Sequence, residues 1–358
     1  MEENLQPKVD ALNSKIESAN NILIIASTPV DHDSLATALT LKWYIKEKYN
    51  KESNIYIFAN VLDSAKSFPG FEDNIQQKHP DKVDFSNYDL VILEDGNALR
   101  QFFTSKYEQY LPLIKKENLY SIDHHEAGPI GEYIPENTIR IKDSCTSKIV
   151  YDYFVKPSGL KLNLEVATWL YMSLSSDTGI FNFEVYKDTF AYAQMLLDLG
   201  VDHYKAVEFS VPKEMMNFTV WAIEHTVYYE VAGCTILSID QHSREQLTER
   251  FGKDWENKDL LKYYQKIFMH MVEDYPYGLI FKEGKDDGKT RVVWRCSALS
   301  KLELMPILRK VGFVANGHRN AGGGITDKPI SQAVADFIKE MEVLLNPNSE
   351  SNSLYTNL

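Results

Sequence analysis

Three adjacent residues, Asp123, His124 and His125, form the part of this sequence that is best suited to chemistry. They directly follow residues 119–122, an apolar run that is typical of a short buried strand. Open α/β sheets place their ligand sites at the carboxyl ends of strands. One carboxylate and two imidazoles are costly to bury at such a position unless a metal ion or an anion is bound there. The triplet therefore indicates a binding or catalytic site.

Carboxylates also follow an apolar run in three further segments: Asp31-His32-Asp33, Glu94-Asp95 and Ser176-Asp177-Thr178-Gly179. Carboxylates and imidazoles suit hard or borderline divalent ions such as Mn²⁺ and Mg²⁺ rather than metals that prefer thiolates. Two such ions held about 3.5–4 Å apart can lower the pKa of water and clamp a phosphoryl group for in-line attack. The four segments together therefore predict a site for two metal ions.

The apolar runs that would position these residues alternate with helical patterns along the first half of the chain. Apolar residues at three- and four-residue steps predict a helix from Leu35 to Ile45, and a second helical pattern leads to Asp177. Short runs that are apolar on both faces are typical of parallel strands covered by helices. Such runs lie at 22–26, 55–59, 90–93 and 119–122. The first half is therefore predicted to be an α/β domain built on a parallel sheet.

The pattern changes at about residue 220. Strand pairs are predicted at 226–231 with 234–239 and at 279–282 with 291–295, and helices at 302–311 and 330–345. A glycine-rich segment, 316–324, separates these two helices. We therefore predict a parallel-sheet metal-binding domain at 1–190, a helical linker at 191–219, a smaller mixed α/β domain at 220–345 and a disordered tail at 346–358.

The charge of the chain limits the partners that we expect. Its 358 residues carry a formal net charge of −13, and the isoelectric point is near 5.2. Proteins bind nucleic-acid duplexes mostly through basic patches that neutralise phosphates. Long duplex DNA is therefore not an expected partner, whereas a small nucleotide or a short oligonucleotide is compatible with the charge.

The sequence also lacks the usual marks of membrane insertion and export. No apolar stretch approaches the length of a membrane span, and the acidic, polar start does not resemble a signal peptide. Three widely spaced cysteines, Cys145, Cys234 and Cys296, form neither a disulfide framework nor a CxxC zinc site. We therefore expect a cytoplasmic protein without a membrane partner.

The motifs in this order resemble the DHH phosphoesterase family, in the subgroup with a C-terminal DHHA1 domain. The resemblance covers roughly residues 21–345 and is carried by the Asp-His-His triplet and by the segment that begins at Gly317-His318. It implies a parallel-sheet DHH domain followed by a smaller mixed α/β DHHA1 domain. The chain is similar to phosphatases that act on nanoRNA and on 3′-phosphoadenosine 5′-phosphate. It is also similar to phosphodiesterases that act on linear or cyclic dinucleotides. Manganese-dependent inorganic pyrophosphatases are more distant relatives.

The resemblance also implies roles for individual residues. It suggests two Mn²⁺ ions, with Mg²⁺ as the alternative, bound by Asp31, Asp33, Asp95, His124 and Asp177. It implies a catalytic triplet of Asp123, His124 and His125, in which His125 lies near the scissile phosphate. The residues that it implies for substrate binding are His125, Arg295, Gly317, His318, Arg319, Gly322 and Gly323.

The sequence departs from the family pattern at two places. Ser27 stands where the family usually has a histidine ligand, four residues before Asp31, so one metal site should be weaker unless His32 turns inward. The spacing to Arg100 would align Glu94 with the family's bridging aspartate. We favour Asp95 as the bridge, because the extra methylene of a glutamate would displace the bridging oxygen.

The expected function is metal-dependent hydrolysis of a phosphoester in a short nucleotide. The candidate substrates are nanoRNA, linear or cyclic dinucleotides and 3′-phosphoadenosine 5′-phosphate. A manganese-dependent inorganic pyrophosphatase is one alternative, and a nucleotide-binding regulator with impaired catalysis is the other. The sequence does not choose among these substrates, and it leaves a homodimer open.

Overall fold

The computed structural model of the protein describes residues 5–59, 61, 63–104, 106–182, 184–207, 213–258, 260–269, 272–284, 287–297 and 300–345. The chain divides into two compact units, Met1–Phe209 and Ser210–Leu358. The boundary between the units falls inside the segment that we predict to be a linker. The predicted disordered tail lies outside the described residues.

The first unit contains a sheet of six parallel strands in the order β3-β2-β1-β4-β5-β6. The strands are β1 (Ile22–Ala26), β2 (Ser53–Ile57), β3 (Ile75–Gln77), β4 (Leu90–Glu94), β5 (Leu119–Asp123) and β6 (Thr138–Arg140). The predicted parallel α/β sheet is confirmed. The edge strands β3 and β6 were not predicted, since three residues are too few to give an apolar run.

Apolar side chains cover both faces of the β1–β4–β5 core of this sheet, those of the main helices on one face and those of short helices and turns between residues 85 and 134 on the other. On β1, Ile22 and Ile24 belong to one buried cluster, whereas Leu23 and Ile25 belong to another on the opposite face. The main helices are α1 (Gln6–Ser18), α2 (His32–Tyr49), α3 (Thr146–Val150), α4 (Leu164–Asp177) and α5 (Thr189–Asp198). A π-helical turn, Tyr151–Val155, continues α3 toward Lys156–Ser158. Both faces of the strands are therefore buried, as the apolar runs predict.

Side-chain caps fix where the two site-bearing helices begin. Asp31 and Ser34 form a capping box at the start of α2, in which each side chain accepts a hydrogen bond from the other residue's backbone N–H. The Asn163 side chain accepts a hydrogen bond from the Val166 N–H at the start of α4. The helix α4 then ends at Asp177, as the helical pattern predicts.

The second unit contains a mixed sheet in the order β11-β12-β10-β9-β8-β7, in which only the β8–β9 pair is parallel. Its strands are β7 (Thr226–Tyr229), β8 (Cys234–Ile239), β9 (Tyr277–Glu283), β10 (Thr290–Cys296), β11 (Val314–Gly317) and β12 (Ala321–Thr326). Its main helices are α6 (Lys213–Glu224), α7 (Gln241–Phe251), α8 (Leu304–Lys310) and α9 (Ile330–Leu345). The predicted mixed α/β domain and its two strand pairs are confirmed.

The glycine-rich segment forms parts of two strands and the short connection between them. Only residues 318–320 connect β11 to β12, and the three glycines 322–324 lie within β12, where they pair with both neighbouring strands. A Cβ atom on Gly322 would overlap the Trp294 ring. Most of these glycines therefore allow close packing inside a sheet.

Further short α-helices lie at Asp63–Lys66, Phe71–Asn74, Arg100–Phe103, Pro129–Tyr133, His203–Ala206 and Leu261–Tyr263. Phe313 is buried in the core of the second unit against Phe281. Within the described ranges, none of the helices combines the length and the apolar character that crossing a membrane requires.

Candidate metal centre

The carboxyl ends of three neighbouring strands carry the candidate site. The strands β1, β4 and β5 are adjacent and parallel, so the residues that follow them lie side by side. Asp33 lies in the first turn of α2, Asp95 follows β4, and Asp123 ends β5. Asp177 approaches from the end of α4. The fold therefore brings all four predicted motifs of the first unit to one place.

The imidazole of His124 lies among three carboxylates. Its Nε2 atom is 3.4 Å from Asp177 Oδ2, 3.7 Å from Asp95 Oδ1 and 3.8 Å from Asp33 Oδ2. Asp33, His124 and Asp177, here called the Asp33 group, offer ligand atoms that all lie within 4.8 Å of one another. One imidazole nitrogen and several carboxylate oxygens thus surround one point, an arrangement that suits a divalent cation.

A second group of ligand atoms adjoins the first. Asp95, Asp123 and His125, here called the Asp123 group, also offer atoms within 4.8 Å of one another. His125 Nδ1 lies 2.7 Å from Asp123 Oδ1 and 3.8 Å from Asp95 Oδ1. The same Oδ1 atom of Asp95 is close to His124, so Asp95 lies between the two groups.

A backbone carbonyl fixes the orientation of His124. Its Nδ1 atom lies 3.0 Å from the carbonyl oxygen of Asp143. Because a carbonyl oxygen can only accept a hydrogen bond, Nδ1 must carry the proton. In the neutral ring, the lone pair is therefore on Nε2, the atom that faces the carboxylates.

Four donors hold the buried carboxylate of Asp33. The N–H groups of Thr146 and Ser147, at the start of α3, donate to it at 2.6 and 3.0 Å. The hydroxyl groups of Ser173 and Thr37 donate at 2.7 and 3.2 Å. Although burial alone would raise it, His124 and these donors hold the pKa of Asp33 below its usual value. Asp33 is therefore ionised.

Asp95 and Glu94 add carboxyl groups that repel Asp33. Burial raises the pKa of Asp95 well above its usual value, and the charge of Asp33 raises it further. Burial and the charge of Asp33 raise the pKa of Glu94 in the same way. Neither carboxyl oxygen of Glu94 has a hydrogen-bond partner among the described residues. A cation at this place would offset the repulsion, so the donor set fits a divalent metal.

The geometry places Asp95, and not Glu94, between the two groups of ligand atoms. Asp95 has a left-handed backbone, with φ of 63°, and its Oδ1 atom accepts a hydrogen bond of 2.9 Å from the Thr146 hydroxyl. This conformation turns its carboxylate toward His124 and His125. Glu94, the last residue of β4, belongs to neither group of ligand atoms.

The first motif contributes less to the two groups than the resemblance implies. The Asp31 carboxylate accepts a hydrogen bond from the Ser34 N–H and is a member of neither group. The His32 ring packs against Phe68, with 5.3 Å between the ring centroids, so it does not occupy the place of the missing histidine. Ser27 is buried beside Gly96.

The predicted substrate-binding residues of the second unit lie at one end of its sheet. Arg295 is paired with Ala321 across β10 and β12, and Gly317 is paired with Gly322 across β11 and β12. The Arg295 guanidinium donates to the Trp294 carbonyl at 2.9 Å. The connecting residues His318 and Arg319 lie at this same end of the sheet, and Arg319 donates to the Ser300 carbonyl at 3.3 Å.

Sequence reasoning missed the residues that hold the ligands in place. Asp143, Thr146 and Ser147 belong to the segment before and at the start of α3, and Ser173 lies on α4. Two of these residues act through backbone N–H groups and one through its carbonyl, and a backbone group has no signature in the sequence. A helix start is signalled only by a run of small, mostly polar residues before an apolar stretch, Ser144-Cys145-Thr146-Ser147.

Comparisons with known proteins support the fold. No protein-family model matches the sequence. The structure is similar to that of an exopolyphosphatase-related protein from Bacteroides fragilis, with a TM-score of 0.77, 18% sequence identity and coverage of 96% of this chain and 99% of that chain. A pGpG-specific phosphodiesterase, PggH from Vibrio cholerae, matches at a TM-score of only 0.36, with 14% identity over 90% of this chain and 98% of that one.

One curated protein is related in sequence. The uncharacterized protein MG371 of Mycoplasma genitalium is 23% identical over 197 residues, which are 54% of this chain and 56% of that protein. The match thus spans about half the length of the curated relative. The structural match shows that the chain shares the fold of the exopolyphosphatase-related protein, a parallel-sheet domain followed by a mixed α/β domain, which is the fold that the resemblance predicts.

Proposed function

We propose that this protein is a phosphoesterase that depends on divalent metal ions and hydrolyses short nucleotides. The observation that carries the proposal is the position of His124 Nε2, which lies 3.4–3.8 Å from carboxylate oxygens of Asp177, Asp95 and Asp33. Neighbouring ligand atoms of an octahedral ion with bonds of about 2.0–2.1 Å are about 3 Å apart. Small side-chain movements would therefore bring the atoms of the Asp33 group onto one ion, with Asp95 beside it.

The proposed cofactor is a pair of Mn²⁺ ions, with Mg²⁺ as the alternative. Two such ions, when bound, would lower the pKa of water and stabilise charge on a transferring phosphoryl group. The Asp33 group would hold one ion, and Asp95 would reach toward both. Asp31 stays in the proposed ligand set: its Oδ1 atom accepts a hydrogen bond from the Ser34 N–H, and its Oδ2 atom would serve as the ligand.

We propose that His125 holds a proton near the scissile phosphate. Although burial alone would lower it, the hydrogen bond and the charge of Asp123 raise the pKa of His125. The imidazole is thus more readily protonated than a free one. The exposed fraction of the His125 side chain is 21%. Asp123 orients the ring, so that His125 can donate a hydrogen bond to a phosphate oxygen.

The proposed substrate is a small nucleotide or a short oligonucleotide such as nanoRNA, a linear or cyclic dinucleotide or 3′-phosphoadenosine 5′-phosphate. The net charge of −13 opposes the capture of a long polyanion, whereas a few cationic side chains suffice for a short one. Arg295, His318 and Arg319 are the proposed contacts to a substrate phosphate. Gly317, Gly322 and Gly323 would support them by allowing the strands to pack closely.

The test is a substrate panel at fixed ionic strength with Mn²⁺. It contains di- to pentaribonucleotides, cyclic dinucleotides, 3′-phosphoadenosine 5′-phosphate, pyrophosphate and inorganic polyphosphate. We expect turnover of at least one nucleotide, and a loss of orders of magnitude on replacing Asp123, His124 or Asp177 by alanine. The exposed His79→Ala variant is the control and should keep full activity. Unchanged turnover in the three site variants would exclude this centre as the catalytic one.

Two alternatives have different outcomes in the same panel. A preference for pyrophosphate or polyphosphate would point to a phosphatase of inorganic substrates, which the name of the similar Bacteroides fragilis protein favours. Nucleotide binding without turnover at any metal concentration would point to a regulator with impaired catalysis.

We also propose that the protein acts in the cytoplasm. Cys145, Cys234 and Cys296 are free thiols that are buried, which fits a reducing compartment. Cell fractionation tests this proposal, and recovery from an oxidising compartment would contradict it.

A further inference from the structure

We propose that Lys148 is a positioning residue of the metal centre, which holds Asp143 so that its carbonyl oxygen keeps His124 in the tautomer that can bind a metal. The proposal rests on the metal-binding part of the proposed function and is independent of the substrate. Lys148 lies on α3 and belongs to none of the four motifs that predict the metal site.

The ammonium group of Lys148 is buried among three carboxylates. The exposed fraction of the Lys148 side chain is only 3%. Its Nζ atom lies 3.0 Å from Asp143 Oδ2, 2.8 Å from Asp152 Oδ2 and 2.7 Å from Asp188 Oδ2. Although burial alone would lower it, the hydrogen bonds to Asp152 and Asp188 raise the pKa of Lys148, so this side chain is charged. A buried ion pair contributes little net stability, so stability alone is a weak reason for this arrangement.

Asp143 connects this charge to His124. Its Oδ2 atom accepts a hydrogen bond from Lys148, its Oδ1 atom accepts one from the Ser144 N–H, and its carbonyl oxygen accepts one from His124 Nδ1. The two side-chain contacts fix the peptide unit of Asp143. The direction of its carbonyl group then decides which nitrogen of His124 carries the proton.

Lys148 also reaches the segment that follows Asp177. Asp188, its third partner, directly precedes α5, and residues 178–188 connect α4 to α5. Within this segment Ile180 and Phe181 have φ of 56° and 63°, a left-handed backbone that such residues rarely adopt. The ion pair with Asp188 thus connects Lys148 to the end of this segment.

The test uses the metal-free protein and the Lys148→Met variant, which keeps most of the apolar stem and removes the charge. Nitrogen-15 NMR of the imidazole should show His124 with its proton on Nδ1 in the unmodified protein and a mixture of tautomers in the variant. Calorimetric titration with Mn²⁺ should show an affinity that is about 10–100-fold lower in the variant, the effect typical of groups that orient a ligand.

Asp152→Asn is the matched control. It removes an ion pair of similar length from Lys148 and leaves the contact with Asp143 intact. We expect the tautomer of His124 to be unchanged and the Mn²⁺ affinity to stay within about 3-fold, well below the effect of losing an orienting group. Equal losses in both variants would mean that Lys148 only stabilises the fold and would overturn the proposal.

Asp143→Asn keeps the proposal testable if Lys148→Met does not fold. This variant weakens the bond to Lys148 but keeps the carbonyl group, so it should also shift the tautomer of His124. Unchanged imidazole signals and unchanged Mn²⁺ affinity in every folded variant that breaks the Lys148–Asp143 pair would overturn the proposal. Because neither measurement needs a substrate, a failure to find turnover would contradict the proposed function alone.

Discussion

Removing the hydroxyl group of Thr146 should weaken metal binding without unfolding the protein. The Thr146 hydroxyl donates to Asp95 Oδ1 at 2.9 Å, while its N–H donates to Asp33 Oδ2 at 2.6 Å. Thr146→Val has nearly the same shape and loses only the first bond. Burial and the charge of Asp33 raise the pKa of Asp95, so the metal-free protein tolerates a protonated Asp95. Metal binding requires its ionised form.

The expected magnitude follows from this difference. A hydrogen bond to a charged group contributes about 1.5–3 kcal/mol, whereas one between neutral groups contributes about 1 kcal/mol. The difference of about 0.5–2 kcal/mol should therefore raise the dissociation constant for Mn²⁺ about 2–30-fold in Thr146→Val, since 1.4 kcal/mol is a factor of about 10. The free energy of unfolding of the metal-free protein should fall by only about 1 kcal/mol. Calorimetric titration and urea unfolding measure the two quantities.

Thr40→Val is the matched control for this variant. Thr40 is equally buried on the neighbouring helix α2, and its hydroxyl has no hydrogen-bond partner among the described residues. Its replacement should leave Mn²⁺ affinity unchanged and should not lower stability, because an unsatisfied buried hydroxyl is removed. If Thr146→Val binds Mn²⁺ as tightly as the unmodified protein, Asp95 does not bind the metal in the way described.

Three further predictions concern the weakened ligand set, the substrate and a buried thiol. Ser27→His should lower the Mn²⁺ concentration needed for activity by restoring an imidazole donor, and an unchanged metal titration would mean that another ligand already fills the gap. At fixed salt, a dinucleotide should be cleaved faster than a strand of about 24 nucleotides, and faster, processive attack on the long strand would refute this. Burial raises the pKa of Cys234 from 9.0 to about 12, so the native thiol should react slowly with alkylating agents. Between pH 9 and 12 the unfolded chain loses the thiol proton of Cys234, whereas the folded protein keeps it. The free energy of unfolding should therefore fall as the pH rises through this range, and it should fall less steeply in Cys234→Ala.

The sequence was most informative where burial determines the residue types. The central strands are apolar on both faces because helices cover them, so β1, β4 and β5 could be predicted nearly to the residue. The carboxylates of the site follow these strands directly, and their convergence follows from the parallel sheet. The left-handed backbone at Asp95, which turns its carboxylate toward both histidines, could not be foreseen from residue type.

The sequence was least informative where a residue acts through its backbone or through packing. Thr146 and Asp143 hold the ligands partly through N–H and carbonyl groups, which every residue possesses. The glycines of β12 resemble a flexible loop in sequence, yet Gly322 lies in a strand because the Trp294 ring leaves no room for a Cβ atom. Both cases depend on neighbours that are distant in sequence, and local patterns carry no information about them.

Anomalous diffraction from crystals grown with Mn²⁺ tests the central claim most directly. Data collected on both sides of the manganese absorption edge locate the ions without any assumption about the substrate. Two manganese peaks are expected, one within the Asp33 group and one close to Asp31, with Asp95 between them. Well-ordered crystals with no manganese at these carboxylates, or with manganese only at sites elsewhere in the chain, would contradict this expectation.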